Sequence, residues 1–180
     1  FSGCTNLPHI KMPTNIDNIP SSAFARCKSL VSIDIPESVK YIGSATFSEC
    51  SSLTTVTIPK STEYIEIDTF YFCDSLISIN VDPDNQKYCS KDGVWFDKAM
   101  TQLMQYPANS SRSDYTIPDT INTIAYRSFF NCKTLKNITI PKSVNSIGMF
   151  AFYDCTNLKN VYYKGSKADW EKIYLISMSV

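Results

Sequence analysis

The stretch CKSLVSIDIPESVKYIGSATFSE, residues 27–49, is followed directly by another cysteine, Cys50, and by a near copy of its own first half. Cys4, Cys27, Cys50 and Cys73 succeed one another at 23-residue intervals, and Cys132 and Cys155 stand the same distance apart. Three residues before each cysteine is a phenylalanine (Phe1, Phe24, Phe47, Phe70, Phe129, Phe152), and three residues after it a leucine (Leu7, Leu30, Leu53, Leu76, Leu135, Leu158). A fixed period of this length is the mark of stacked coils, each of which covers the apolar face of its neighbour.

Counting from the cysteine, Ile or Val recurs at +6 (Ile10, Ile33, Val56, Ile79, Ile138, Val161), and an apolar residue or Tyr at +8 (Met12, Ile35, Ile58, Val81, Ile140, Tyr163). Proline follows at +9 in Pro13, Pro36, Pro59 and Pro141, and Ile returns at +15 in Ile19, Ile42, Ile65 and Ile147. The alternation L-x-x-I-x-I, rich in β-branched residues, has the period of a strand. Proline, with no N–H to donate, ends that strand. The remaining half-coil, with its Ser, Asn, Asp and Gly, predicts turns and short irregular or 3₁₀ segments on the convex side.

SLVSIDIPESVKYIGSATFSEC (29–50), SLTTVTIPKS (52–61) and TLKNITIPKSVNSIGMFAFYDC (134–155) resemble the BspA-like leucine-rich repeat family, and the likeness covers nearly the whole chain. The resemblance implies a curved solenoid with short parallel strands on its concave face. It also implies surface or secreted proteins that act as adhesion and interaction modules, without enzymatic activity. The expected fold is therefore an α/β leucine-rich-repeat solenoid, right-handed, of about seven coils over residues 1–165.

The rhythm breaks once. From Cys73 to Cys132 is 59 residues, 13 more than two periods, and the excess falls before Asn109. Within a variant coil at about 83–109, DGVWFDKAMTQLMQYP predicts an inserted hairpin: Val94, Trp95 and Phe96 in one strand, Leu103, Met104 and Tyr106 in the other. Trp95 and Tyr106 are its candidate surface residues. At residues 166–180, Ser166 and Asp169 suggest a capping box ahead of Trp170, Ile173 and Tyr174, hence a short C-terminal helix covering the last coil, then an apolar tail, LISMSV. The chain opens in mid-coil at Phe1, which reads as a fragment of a longer protein.

Chemistry is sparsely supplied. A residue recurring once per coil is first a packing residue, so the six periodic cysteines read as buried free thiols. No close cysteine pair exists, and one histidine, so zinc is not indicated. Equivalent cysteines in a stack point the same way, which disfavours disulfides. Cys89 is off-register and is the one candidate for a reactive thiol. His9 could meet Ser32 and Asp34 from the next coil, but these are ordinary column positions. Asp82, Asp84 and Asp92 lack the spacing of a calcium loop. No cofactor, metal or catalytic residue is expected. Lys plus Arg equals Asp plus Glu at 17 each, so no basic surplus points to nucleic acid. No apolar run is long enough to span a membrane.

What remains is surface. With +6 and +8 inward, +5 and +7 face out on the concave side. The candidate interaction residues are His9, Ser32, Thr55, Ser78, Asn137 and Asn160 at +5, and Lys11, Asp34, Thr57, Asn80, Thr116, Thr139 and Tyr162 at +7. This hydroxyl- and amide-rich surface suits hydrogen bonding to proteins or glycans of a host or neighbouring cell. The alternative is a structural spacer that presents another domain and has no ligand of its own.

Overall fold

The computed structural model describes residues 1–176. Its elements are β1 (Asn18–Ile19), β2 (Ser32–Ile33), β3 (Tyr41–Ile42), β4 (Thr55–Ile58), β5 (Tyr64–Ile65), β6 (Ser78–Val81), β7 (Tyr88–Lys91), β8 (Val94–Asp97), β9 (Gln102–Gln105), β10 (Asp114–Thr116), β11 (Thr123–Ile124), β12 (Asn137–Ile140), β13 (Ser146–Gly148), β14 (Asn160–Tyr163), α1 (Lys167–Trp170) and β15 (Tyr174–Ile176).

Each coil has three walls. The first is the L-x-x-I-x-I strand, which forms the concave face. Its strands stack in parallel as β2-β4-β6 and as β10-β12-β14, with Thr55 paired to Ser78 and Asn137 to Asn160 one period on. Alternate side chains enter the core: Val56, Ile58, Ile79, Ile138 and Ile140 are buried. Six coils carry this strand; residues 9–12 of the first coil form none, although Val31 N–H still bonds Pro8 O.

The second wall differs from the convex 3₁₀ segments that composition suggested. It is another parallel ladder, β1-β3-β5 in the first half and β9-β11-β13-β15 in the second, seated on the +15 isoleucines. The third wall, from the glycine or alanine to the cysteine, is all turns. Ser22 and Arg26, Ala45 and Glu49, Asp68 and Phe72, Arg127 and Asn131, Phe150 and Asp154 all have positive φ. These are the residues five and one before each cysteine, so two left-handed kinks per coil bend the chain round the phenylalanine. Backbone N–H groups of this wall bond the next coil, as in Phe24 N–H to Thr46 O and Phe47 N–H to Thr69 O.

The phenylalanines stack as one column, Phe1–Phe24–Phe47–Phe70, with centroids 5.6–5.8 Å apart. The cysteines run beside them: Cys27, Cys50, Cys73 and Cys132 are buried and unbonded to one another. Cys4 is exposed and Cys155 half-buried.

At the interruption the 23-residue register persists through Tyr88. Asn85, fully buried in the column of Val39 and Thr62, donates to Pro59 O and Thr62 O and accepts from the N–H groups of Lys87 and Tyr88. The Tyr88 hydroxyl accepts from Ile65 N–H, taking the place of a ladder partner. The chain then forms not two antiparallel strands but three, β7-β8-β9. Asp92 and Gly93, both at positive φ, make the two-residue turn between β7 and β8.

β8 is buried on both faces and divides the interior. Trp95 belongs to the core of the first half, while Val94 and Phe96 belong to that of the second. Hence the expected hairpin surface is overturned: Trp95 and Tyr106 are interior residues, 5% and 1% exposed. Trp95 meets Phe70 edge-on at 6.4 Å and closes the first aromatic column; Tyr106 stacks on Phe129 at 5.1 Å and opens the second. Tyr106 stands one period before Phe129, and that spacing could have placed it.

The C-terminal helix is a single turn with a complete capping box between Ser166 and Asp169, and none of its residues is buried. It does not seal the last coil, where Val161 is 52% exposed. Tyr174–Ile176 extend the second ladder by pairing with β13; the rest of the expected tail, 177–180, lies outside the described residues.

Candidate interaction surfaces

All thirteen concave candidates lie at the surface. His9, Lys11, Ser32, Asp34, Thr55, Thr57, Asn80, Thr116, Asn160 and Tyr162 are exposed, and Ser78, Asn137 and Thr139 half-exposed. The strand period explains this, since their neighbours at +6 and +8 are held inward. They do not form one continuous face. The β7–β8 turn lies against the edge of β6: Ile79 N–H bonds Gly93 O at 2.9 Å and Val81 N–H bonds Ser90 Oγ at 2.9 Å. This turn separates a first patch over β2, β4 and β6 from a second over β10, β12 and β14.

The second patch is internally organised. Asn160 Nδ2 donates to Asn137 Oδ1 at 2.7 Å, and Asn137 Nδ2 donates to Asp114 Oδ1 at 2.5 Å. The Ser113 hydroxyl and then the Asn137 amide hold the Asp114 carboxyl below the usual carboxylate range. Tyr162, 55% exposed, supplies the single aromatic ring of the +7 column.

The histidine does not assemble a catalytic device. Ser32 Oγ is 3.4 Å from His9 Nδ1, and no carboxylate among the described residues takes a bond from the imidazole. Asp82 Oδ1 accepts Asp84 N–H, which makes it a turn residue. Among the described residues no three His, Cys, Asp or Glu side chains converge as metal ligands. Cys89 is half-buried on β7 and donates to Asp97 O; burial pushes its thiol up, away from the reactive thiolate. Among the described residues no helix is long and apolar enough to cross a membrane.

A surface that the repeat pattern did not single out lies on the turn wall beside the interruption. Arg127 sits 4.2 Å from the ring centre of Tyr71 and 4.8 Å from that of Tyr126, and its Nη1 is 2.8 Å from Asp68 Oδ1. This pair joins coils 59 residues apart across the inserted strands. Asn131 Nδ2 similarly reaches Asp74 Oδ1. A small cleft of about 40 Å³ remains between the two turn segments, bordered by Tyr71, Phe72, Arg127 and Phe130. The signal was present in the sequence as Tyr71, Phe72, Phe130 and Tyr153, bulky rings at places where earlier coils carry Ala, Ser, Arg or Glu.

A search of curated proteins finds no match. Solved structures do match. The chain is 27% identical to the pneumococcal vaccine antigen PcpA, with a TM-score of 0.72, over 82% of this chain and 42% of that one. A leucine rich cell surface protein from Faecalibacterium prausnitzii is similar at 20% identity and a TM-score of 0.59, over 97% of this chain and 64% of that one. The Treponema protein described as T. pallidum leucine rich repeat protein matches at 23% identity and a TM-score of 0.56, over 87% and 71%. The chain thus spans 42% of the length of the antigen and 64% of that of the Faecalibacterium protein. The BspA type leucine rich repeat region model matches in six copies over residues 1–92 and 106–173, omitting much of the three-stranded insertion. With the coil walls, the cysteine row and these matches in agreement, this chain belongs to the BspA-type leucine-rich repeat family, whose members are typically protein-interaction modules and generally not enzymes.

Proposed function

We propose that the chain is the binding module of a cell-surface or secreted protein, and that its concave strand face takes a protein or glycan partner of a host or neighbouring cell. One observation carries this reading: two columns of hydroxyl and amide side chains stand exposed over a ladder whose alternate residues are locked in the core. A rigid sheet with exposed donors and acceptors at a regular spacing of about 4.8 Å loses little entropy on meeting an extended ligand. The likeness to a vaccine antigen supports an outward-facing location. The inserted strands drop out as a binding protrusion, because their large side chains fill the cores.

The test is an array of extracellular-matrix proteins and glycans probed with the intact chain, beside Thr57→Arg and Thr139→Arg, each of which crowds one patch. The reading expects a ligand whose signal one of these variants abolishes. Silence across the array, or signals indifferent to both variants, would sink it.

A spacer role has one observation in its favour. Asp114, Asn137 and Asn160 spend hydrogen bonds on one another, as a surface without a ligand would. It predicts that shortening the parent protein by whole coils leaves adhesion unchanged.

A further inference from the structure

The left-handed kinks of the turn wall are normally occupied by residues that are small or end in solvent, such as Ser22, Arg26, Ala45 and Glu49. Two of these places hold phenylalanine, one just before the interruption and one in the second turn segment after it. Phe72 has φ 54° and Phe150 φ 59°, yet the rings are 37% and 43% exposed. A bulky residue in this conformation costs on the order of 1–2 kcal/mol, and a half-exposed ring recovers only part of that through burial.

These rings are not scattered. Phe72 packs on Phe130 at 5.1 Å, Tyr153 stacks on Phe130 at 5.6 Å, and Phe150 meets Tyr153 at 5.6 Å. They make one aromatic strip along the turn wall, in which Phe130, 8% exposed, is the buried floor and Phe72, Phe150 and Tyr153, the last 58% exposed, stand out of it. Exposed rings seated on a buried one are the composition of an interaction hot spot. The concave columns, with Tyr162 alone, lack it.

The strip also shows which chemistry it accepts. Inside it, the Arg127 guanidinium lies 4.2 Å from the ring centre of Tyr71, 4.8 Å from that of Tyr126 and 5.6 Å from that of Phe150, while Asp68 takes its N–H. The same residue types stand next to one another in the chain at the exposed end of the strip. Asp154, its side chain 37% exposed, follows Tyr153, and Lys133 Nζ stands 4.0 Å from its Oδ2. Asp74 lies two residues after Phe72, and its Oδ1 accepts from the Asn131 amide.

We infer that this aromatic strip docks an arginine-bearing segment of a protein partner, with a guanidinium on the Phe150–Tyr153 rings against Asp154. Arginine fits better than lysine, because a planar guanidinium stacks on a ring and presents a fork of donors to a carboxylate at once. The site is separate from the concave face, so each stands or falls without the other.

The probe is the capped peptide acetyl-Gly-Arg-Gly-Leu-Arg-Gly-amide, titrated into the intact chain by calorimetry beside its isosteric, uncharged citrulline counterpart. Saturable binding of the arginine peptide is expected, with the citrulline peptide weaker by ~5-fold or more. Asp154→Asn should weaken the arginine peptide similarly and Tyr153→Ser should abolish binding. Melting curves for Asp154→Asn, an isosteric change at a partly exposed site, should match the parent chain. No binding at millimolar peptide, equal binding of the citrulline peptide, or equal binding by Asp154→Asn would overturn the inference. So would a dimer, detected by sedimentation, that Tyr153→Ser dissociates, since the strip would then belong to a second copy of this chain.

Discussion

The thiol of Cys50 donates to the backbone carbonyl of Phe24, one coil back, across 3.1 Å. The relationship repeats as Cys27 to Phe1, Cys73 to Phe47 and Cys155 to Phe129, at 3.0–3.2 Å. Each of these carbonyls already accepts the N–H of the cysteine in its own coil, as Phe24 O does from Cys27, so the thiol from the next coil adds a second donor and ties the two turns together. Neither Ala nor Val offers that donor, and Ser offers it only with a more polar, shorter side chain. The periodic cysteines form a hydrogen-bonded seam between coils.

Thiol reactivity should follow this seam. In the native chain, iodoacetamide should label Cys4 readily and Cys89 slowly. Cys27, Cys50, Cys73 and Cys132, all buried, should label only after unfolding. Peptide mapping by mass spectrometry reads each site. Native modification of Cys50 at a rate near that of Cys4 would contradict the seam.

Stability should fall in mild alkali. Burial pushes the Cys50 thiol up to about 12 and the Cys73 thiol well above its ordinary value. In the unfolded chain both ionise near pH 8.5. Above that pH the unfolded state has lost protons that the folded state keeps, so ΔG of unfolding declines as pH rises. The decline should be at most about 1.4 kcal/mol per pH unit for each such thiol, until the folded value is reached. Urea melts between pH 8 and 10.5 should show it, and Cys50→Ala, less stable at pH 7 by about 1–2 kcal/mol, should have a shallower slope.

Trp95 should behave as the end plate of the first core. Trp95→Ala removes a fully packed ring that touches Phe70 and Tyr88 and should cost about 3–5 kcal/mol, with Trp95→Phe much milder. Fluorescence follows it: Trp95 is buried and Trp170 is 42% exposed, so native emission should contain a blue component that Trp95→Phe removes. A red-shifted native spectrum unaffected by Trp95→Phe would place the indole in water.

The period made the core legible, because Leu30, Ile33, Ile35, Phe47 and Cys50 each report one place in a coil and recur with it. The strand alternation likewise revealed which concave side chains face out. What the sequence concealed lay mostly at the insertion, with the second-wall ladder, periodic but outside β9 only two or three residues per strand, as the exception. Trp95 and Tyr106 are large and lie in an insertion, which suggested exposure, but an inserted strand lying between two coils has no free face. β7 went unseen because YCSK has no apolar alternation, although the Asp92–Gly93 pair was a hairpin signal. The turn-wall contacts were hidden because Asp68 and Arg127 approach only after the insertion is folded away.

Asp68 and Arg127 should couple the two halves of the solenoid. Their side chains are 22% and 23% exposed, so solvent screens the pair less than a surface ion pair and more than a fully buried one. Arg127→Ala leaves the Asp68 carboxylate half-desolvated and strips the guanidinium from Tyr71 and Tyr126, and should destabilise by about 2 kcal/mol. Asp68→Asn, which keeps the shape, should cost less. In a double-mutant cycle with Arg127→Met, the coupling energy should be about 1 kcal/mol. Because β8 divides the interior into two cores, the loss should not spread evenly. Hydrogen exchange should accelerate most at the strand amides flanking the insertion, those of Ile65 and Leu103, and least at Ile33 and Ile138. A coupling below about 0.3 kcal/mol, or acceleration uniform along the chain, would reduce the pair to an ordinary surface contact and leave the tie between the halves to the packing of β8 and the Asn131–Asp74 bond.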